Sequence, residues 1–344
     1  MKIVSITFIM LMSVLLLNAQ EKQENFKPKG VAFGKVFFNY HLDLTEGSDK
    51  VNSFEIQRSY LGYKYNFSDK ISAKITLDAG PVGVGSSYTV FVKIAQLNWQ
   101  ISKPIKLSIG LIGLKQFDTQ EKFWGYRYIF KSFQDEFAFG SSADLGANAE
   151  IKIIKNLTAN VFVLNGEGYK KKQDNMGRLK VGGNLVYKPI NGLILKAYYD
   201  IYGGKFNRGD TLVVDTTSIQ TIAFFAGYKI NKFRLGAEYD LQKGGEKYYH
   251  IAADHNLRGY VIYGTYMFAK KWEVFAEYFS FKSNKLEGET DTWNYNKDAN
   301  GIVGGFQYSP VKGVKASLNY RTFLYDNPKN TDENLIYLNF EYKF

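Results

Sequence analysis

The 344-residue chain carries 44 Lys and Arg against 33 Asp and Glu, a formal net charge of +11, and no cysteine. The missing thiols exclude a disulfide framework, a thiolate metal site and a thiol-linked lipid anchor. Although 45% of residues are hydrophobic and 17% aromatic, the mean hydropathy is only −0.27, so the apolar side chains are dispersed and not gathered into spanning helices.

The first twenty residues differ from the rest. Lys2 precedes an apolar run over 3–17 and then Asn18-Ala19-Gln20, the charged start, short apolar core and cleavage region of a secretory signal, with Leu17 a poor fit where a small residue is expected. About 15 apolar residues fall short of the roughly 20 that a spanning helix needs. The reading is therefore a signal peptide over 1–20, a short periplasmic leader over 21–30 and a single transmembrane domain over 31–344.

From there a two-residue alternation recurs in sixteen segments: 32–44, 54–67, 71–79, 88–101, 107–117, 143–153, 157–164, 179–187, 193–201, 220–230, 233–241, 260–268, 272–281, 302–308, 314–320 and 336–344. In the third, Ile71, Ala73, Ile75, Leu77 and Ala79 oppose Ser72, Lys74, Thr76 and Asp78. One apolar and one polar face at period two is the strand signature, and about ten residues let a tilted strand cross a membrane. Register is ambiguous in 88–101, where Lys93 would share a face with Leu97 and Trp99. The last strand ends on Phe344, the aromatic terminal residue of outer-membrane barrels.

Short turns fall at 68–70, 102–106, 155–156, 189–192, 231–232, 269–271 and 309–313, and alternate with longer polar connections such as 203–217, 243–256 and 282–300. Short periplasmic turns and long external loops suit a transmembrane antiparallel β-barrel of 16 strands with both termini inside. At about 4.8 Å per strand and a tilt of about 40°, its diameter is about 30 Å, too wide for side chains to fill.

The connection after Phe117 is the longest. Its stretch 121–137 is rich in aromatics and in charges of both signs, so it can pack on a wall and still offer charge to water. A helical middle would put Arg127 and Lys131 on one face. The expectation is an inward-folded third external loop that narrows the pore, with Arg127, Lys131 and Tyr126 at the constriction; the alternative is a loop packed on the rim.

Residues 54–70, Phe123-Trp-Gly-Tyr-Arg-Tyr-Ile129, Ser141-Ser-Ala-Asp-Leu-Gly146 and Asn165-Gly-Glu-Gly-Tyr169, taken in this order and with the terminal Phe344, resemble outer-membrane porins of the phosphate-selective porin O and P type in their Bacteroidota form. The resemblance covers most of the chain beyond the signal. It implies sixteen strands, a homotrimer and a third external loop folded inward, here the one holding Arg127. The departure lies in the lumen. Lys35, Arg58, Lys74, Lys152, Lys196, Arg234, Lys315 and Arg321 are expected to line the pore together with Asp78, Asp144 and Glu238, so the polar faces are mixed and no arginine ladder can be picked out.

Other chemistries fare worse. The bases are spread among lipid-facing aromatics, which argues against nucleic acid. His41, His250 and His255 are the three histidines, and none can be assembled with a serine into a lipid hydrolase, so no enzyme is expected. Residues 80–87 lack the lysine and helix of a phosphate-cradling loop. Asp291, Asp298 and the 326–333 segment match no fixed Ca²⁺ pattern, and no cofactor or metal is expected. The reading is an outer-membrane porin for passive diffusion of small hydrophilic solutes, with a preference for anions or phosphate as the resemblance implies, in contact with membrane lipid and lipopolysaccharide. The competing reading is a barrel serving as a surface binding or adhesion protein.

Overall fold

The computed structural model describes residues 26–49, 52–81, 88–172, 177–208 and 211–344. The signal over 1–20, most of the leader and most of the 80–87 turn lie outside the described residues. Sixteen strands follow in chain order: β1 (Lys29–Asp43), β2 (Asn52–Asn66), β3 (Ile71–Gly80), β4 (Thr89–Ser102), β5 (Ile105–Gly113), β6 (Ala143–Ile154), β7 (Leu157–Leu164), β8 (Leu179–Tyr187), β9 (Leu193–Arg208), β10 (Thr211–Ile230), β11 (Phe233–Lys247), β12 (His250–Ala269), β13 (Trp272–Ser283), β14 (Ala299–Tyr308), β15 (Val314–Tyr325) and β16 (Glu333–Lys343). Each pairs with its chain neighbours, and β1 pairs antiparallel with β16, which closes the barrel. Phe344 lies one residue past β16, yet its backbone and that of Gly34 exchange two hydrogen bonds of 3.1 Å.

The alternation sorts side chains onto two unlike surfaces. Ile75, Leu97, Val161, Leu235, Tyr239 and Leu318 are exposed, whereas their strand neighbours Thr76, Asp78, Asn160, Glu238, Asp240 and Asn319 are shielded. An exposed apolar face on every strand is stable only against lipid or another apolar surface. Among the described residues no helix is long and apolar enough to cross a membrane.

Two expectations are corrected. Residues 203–217 and 243–256 are not long loops: β9 and β10 extend to Arg208 and from Thr211, and β11 and β12 run from Lys247 to His250 through a two-residue tip. Neither stretch shows a sustained two-residue alternation of apolar and polar residues, so both read as loop in sequence. In β4 the pairing shifts between Thr76 opposite Ile94 and Leu77 opposite Val92, which leaves Lys93 as an extra residue in a β-bulge. The bulge turns Lys93 away from the Leu97 face, and its ammonium lies 3.7 Å from Asp78 on the shielded face.

Candidate functional site

The 114–142 connection holds two short helices, α1 (Asp118–Trp124) and α2 (Phe133–Glu136). The segment expected as 107–117 strand ends at Gly113, and Phe117 is instead the N-cap of α1. Residues 127–130, between the helices, form a turn, so the expected helical face joining Arg127 to Lys131 does not exist. Gly125 breaks the helix with a left-handed φ of +81° that favours glycine.

This connection is packed, not draped. Phe123, Trp124, Tyr126, Tyr128, Ile129, Phe130, Phe133 and Phe139 form one buried cluster with Phe37, Phe225, Leu257, Val261, Tyr263, Phe275, Phe279, Phe281 and Val303 from β1, β10, β12, β13 and β14. Tyr126 stacks on Phe275 with ring centroids 4.3 Å apart, and Trp124 lies 4.8 Å from Tyr263. Glycine makes room for one of these rings. A Cβ at Gly259 on β12 would lie 1.9 Å from the Phe133 ring.

Polar contacts fix the same segment. Lys196 donates to the carbonyls of Lys115 at 2.7 Å and Gln116 at 2.6 Å and to Gln120 Oε1 at 3.1 Å. Gln134 donates to Glu238 at 2.7 Å and Asp240 at 2.8 Å, and Gln120 donates to Glu238 at 3.0 Å. Lys315 donates to the Gly125 carbonyl at 3.1 Å, Asn339 to that of Tyr128 at 3.3 Å, and the Tyr128 hydroxyl to Gln307 at 2.9 Å. Shielded side chains of β9 to β16 and of β1 thus all meet this one connection.

The charges expected at the constriction are internally paired. Arg127 sits 3.3 Å from Glu121 and 3.0 Å from Asp135, and Lys131 sits 2.9 Å from Glu136. Burial pushes the Glu121 carboxyl above its ordinary range despite Arg127. Burial acts the same way on Asp118, but Lys115, Lys196 and Lys122 together hold its carboxyl below that range. Tyr126 is buried against the wall.

The remaining residues expected in the pore lining fall into two groups. Lys196, Glu238, Lys315 and Arg234 touch the connection, Arg234 with its guanidinium 5.4 Å from the Tyr126 ring and 3.4 Å from Glu273. Arg321 lies 3.7 Å from the Tyr337 ring and donates to Asn319 and Asn339. Asp144 accepts from the backbone N–H of Gly166 and of Leu145, both at 2.8 Å. Arg58 approaches Asp78 at 3.5 Å, Lys35 lies over Phe37 and Lys74 over Phe33, and Lys152 is exposed near the 155–156 turn.

Sequence reasoning missed the wall across from the packed loop. There the Gln96 and Ser108 side chains donate to Asn98, both at 2.8 Å, and Asn148, Asn160 and Asn184 form a chain of amide bonds of 3.3 and 3.1 Å. The signal was present as an amide on the polar face of β4, β6, β7 and β8. Two polar cavities lie along the connection, the second of them beside this wall. One of about 200 Å³ meets Arg58, Lys93, Arg127, Lys131, Asp135 and Lys170; the other, about 220 Å³, meets Lys115, Asp118, Glu150, Asn160, Asn184 and Lys188. In the 284–298 loop, Asp298 spends its oxygens on Ser283 and Thr292. Among the described residues no cluster of three or more potential ligands could hold a metal ion.

A closed, sixteen-stranded antiparallel barrel with a lipid-compatible exterior and a polar shielded face is the architecture of porin barrels. Solved structures share it. The outer membrane channel DcaP of Acinetobacter baumannii superposes with a TM-score of 0.69 at 12% identity, over 94% of this chain and 99% of that one. OmpF of Salmonella typhi, in complex with daunomycin, gives 0.68 at 14% identity over 92% and 98%. An anion-selective porin from Comamonas acidovorans gives 0.66 at 13% identity over 92% and 100%. Comparison with protein-family models finds no match, and comparison with curated proteins finds none.

Proposed function

We propose that the protein is an outer-membrane porin through which small hydrophilic solutes diffuse passively, exported by the signal at 1–20 and working as a homotrimer among membrane lipid and lipopolysaccharide. In this reading the 114–142 connection folds into the lumen and narrows it, and solutes pass between the loop and the amide wall of β4 to β8. One observation carries the reading: polar cavities lie at both ends of that connection, one lined by Arg127, Lys131 and Ser141, the other lined by Lys115 and Asp118 beside the amides of Asn160 and Asn184. Arg127 and Lys131 border the first cavity and act there as members of ion pairs. The anion preference, with phosphate as one candidate solute, follows from the resemblance to phosphate-selective porins.

Single-channel conductance of the protein reconstituted in planar bilayers tests this. A stable ohmic channel is expected. Replacing both Arg127 and Lys131 with Glu would unbalance the acids already beside them, and the reversal potential in a salt gradient should move towards cations. A silent bilayer would end the porin reading, and an unchanged reversal potential would place the loop away from the passage.

A further inference from the structure

Bases that the chain order scatters converge at one cavity. Arg58 on β2, Lys93 at the β4 bulge and Lys170 beyond β7 border the space of about 200 Å³, with Ser141 and Tyr248 also on its wall. Among the described residues these three bases have one close acid, Asp78, which lies 3.5 Å from Arg58 and 3.7 Å from Lys93 and accepts a hydrogen bond of 2.7 Å from Tyr169. Lys93 otherwise rests over the rings of Tyr60 and Tyr169, and Lys170 over those of Phe91 and Tyr169. Arg58 Nη1 is buried with no hydrogen-bond partner among the described residues. Across the cavity the balance reverses, since Arg127 and Lys131 face Glu121, Asp135 and Glu136.

We propose that Arg58, Lys93 and Lys170 bind the carboxylate of a small organic acid as it crosses the barrel, an assignment that rests on the channel reading above. A planar carboxylate matches the fork of a guanidinium, and Arg58 Nη1, though 3.5 Å from Asp78, makes no hydrogen bond among the described residues. Magnitude of charge favours a monoanion: the basic wall has two charges in excess and the opposite wall one acid in excess, a net of one positive charge that a single carboxylate neutralises and that the dianionic form of phosphate would overshoot. The hydroxyl oxygens of Ser141 and Tyr248 can accept from hydroxyls on the remainder of that solute. Burial, and then the nearby Arg58, pull the Lys170 ammonium below its ordinary range, and a bound anion relieves that cost.

Titration calorimetry on the detergent-solubilised protein with glycerate reads the site, and bilayer current reads the channel, so the two readings can fail separately. Glycerate is expected to bind at least about tenfold more tightly than inorganic phosphate and to depress chloride current at matching concentrations. The Arg58→Gln, Lys93→Gln, Lys170→Gln variant should abolish binding. Because the first two changes could disturb Asp78, Lys170→Gln alone, outside the strands and, among the described residues, in no ion pair with Asp78, serves as the fold-neutral variant and should weaken binding about threefold. Equal affinity for phosphate and glycerate, or wild-type affinity in Lys170→Gln, overturns the assignment.

Discussion

The shielded face of the barrel has two unlike sectors. From β9 through β16 to β1 it offers aromatic rings, a glycine notch and buried carboxylates, and the 114–142 connection is seated on all of it. From β2 to β8 it offers amides, hydroxyls and bases, many of which bond to one another along the wall, and it meets the loop through Tyr60 on the aromatic cluster, through the small cluster of Ile112, Phe162 and Leu164 under Leu114, and through Asn184, which donates to the Lys115 carbonyl at 3.2 Å. The outer surface shows no such division, since exposed apolar residues recur on both. Lipid constrains one face of each strand in the same way around the circumference. The other face is free to specialise, as a dock in one sector and as a wall of mixed amides, hydroxyls and bases in the other.

The comparison breaks first at the dock. Trp124→Ala combined with Phe275→Ala removes two rings from the centre of the cluster, and each truncation of this kind costs about 3 to 5 kcal/mol. The loop should leave the wall while the closed sheet persists, so conductance should rise and heat-modifiable gel mobility should stay. A conductance equal to wild type would mean that the aromatic cluster does not hold the loop in place. Gly259→Leu tests the same seat by overfilling it, because the new side chain must displace Phe133.

A second pair of substitutions sharpens the contrast by acting outside. Ile75→Lys lies on the amide-bearing sector and Leu318→Lys on the docked one, both on the exposed apolar face. Each should cost about 2 to 4 kcal/mol of folding free energy near the bilayer midplane, and the two costs should agree. Urea titration of folding into lipid vesicles measures both. A cost confined to one sector would mean that the exterior is specialised too.

The barrel was legible in the sequence because alternation against lipid is a local rule: strand number, turn positions and the exposed face of Ile75, Leu235, Tyr239 and Leu318 all follow from period two. What long-range contacts decide was not. No spacing shows that Lys196 would spend its charge on the carbonyls of Lys115 and Gln116, roughly 80 residues away in sequence. Nor could the pairing of Arg127 with Asp135 be read, because it depends on a turn where a helix was expected. Lys93 was visible as a conflict of register, and the bulge is its physical resolution.

Smaller effects are expected on the amide wall. Asn160→Ala removes the middle of the Asn148–Asn160–Asn184 chain, where neutral hydrogen bonds are each worth about 1 kcal/mol. Stability should fall by no more than that, because water can enter and satisfy the freed amides. Conductance should rise slightly with the added room. A loss as large as that of the aromatic truncations would show that this wall is structural core and not a solvated passage.

The smallest effect is a proton. Burial raises the Glu121 carboxyl above its ordinary range, whereas Asp118, one turn earlier in α1, is held below it by Lys115, Lys196 and Lys122. As pH falls from neutral towards about 4, the ordinary carboxylate range, Glu121 therefore takes up its proton first. Arg127 keeps its charge, since the neighbouring acids outweigh its burial and hold its pKa raised. Losing a negative charge 3.3 Å from Arg127 leaves the loop one unit more positive at the proposed constriction. The reversal potential in a salt gradient should then shift towards anions by a few millivolts across that interval, because one charge among several pairs is screened over about 8 Å at physiological salt. Glu121→Gln mimics the protonated state, so it should show the shifted potential already at neutral pH and lose the pH dependence. A variant that still titrates like the wild type would assign the effect to another acid and remove Glu121 from the passage.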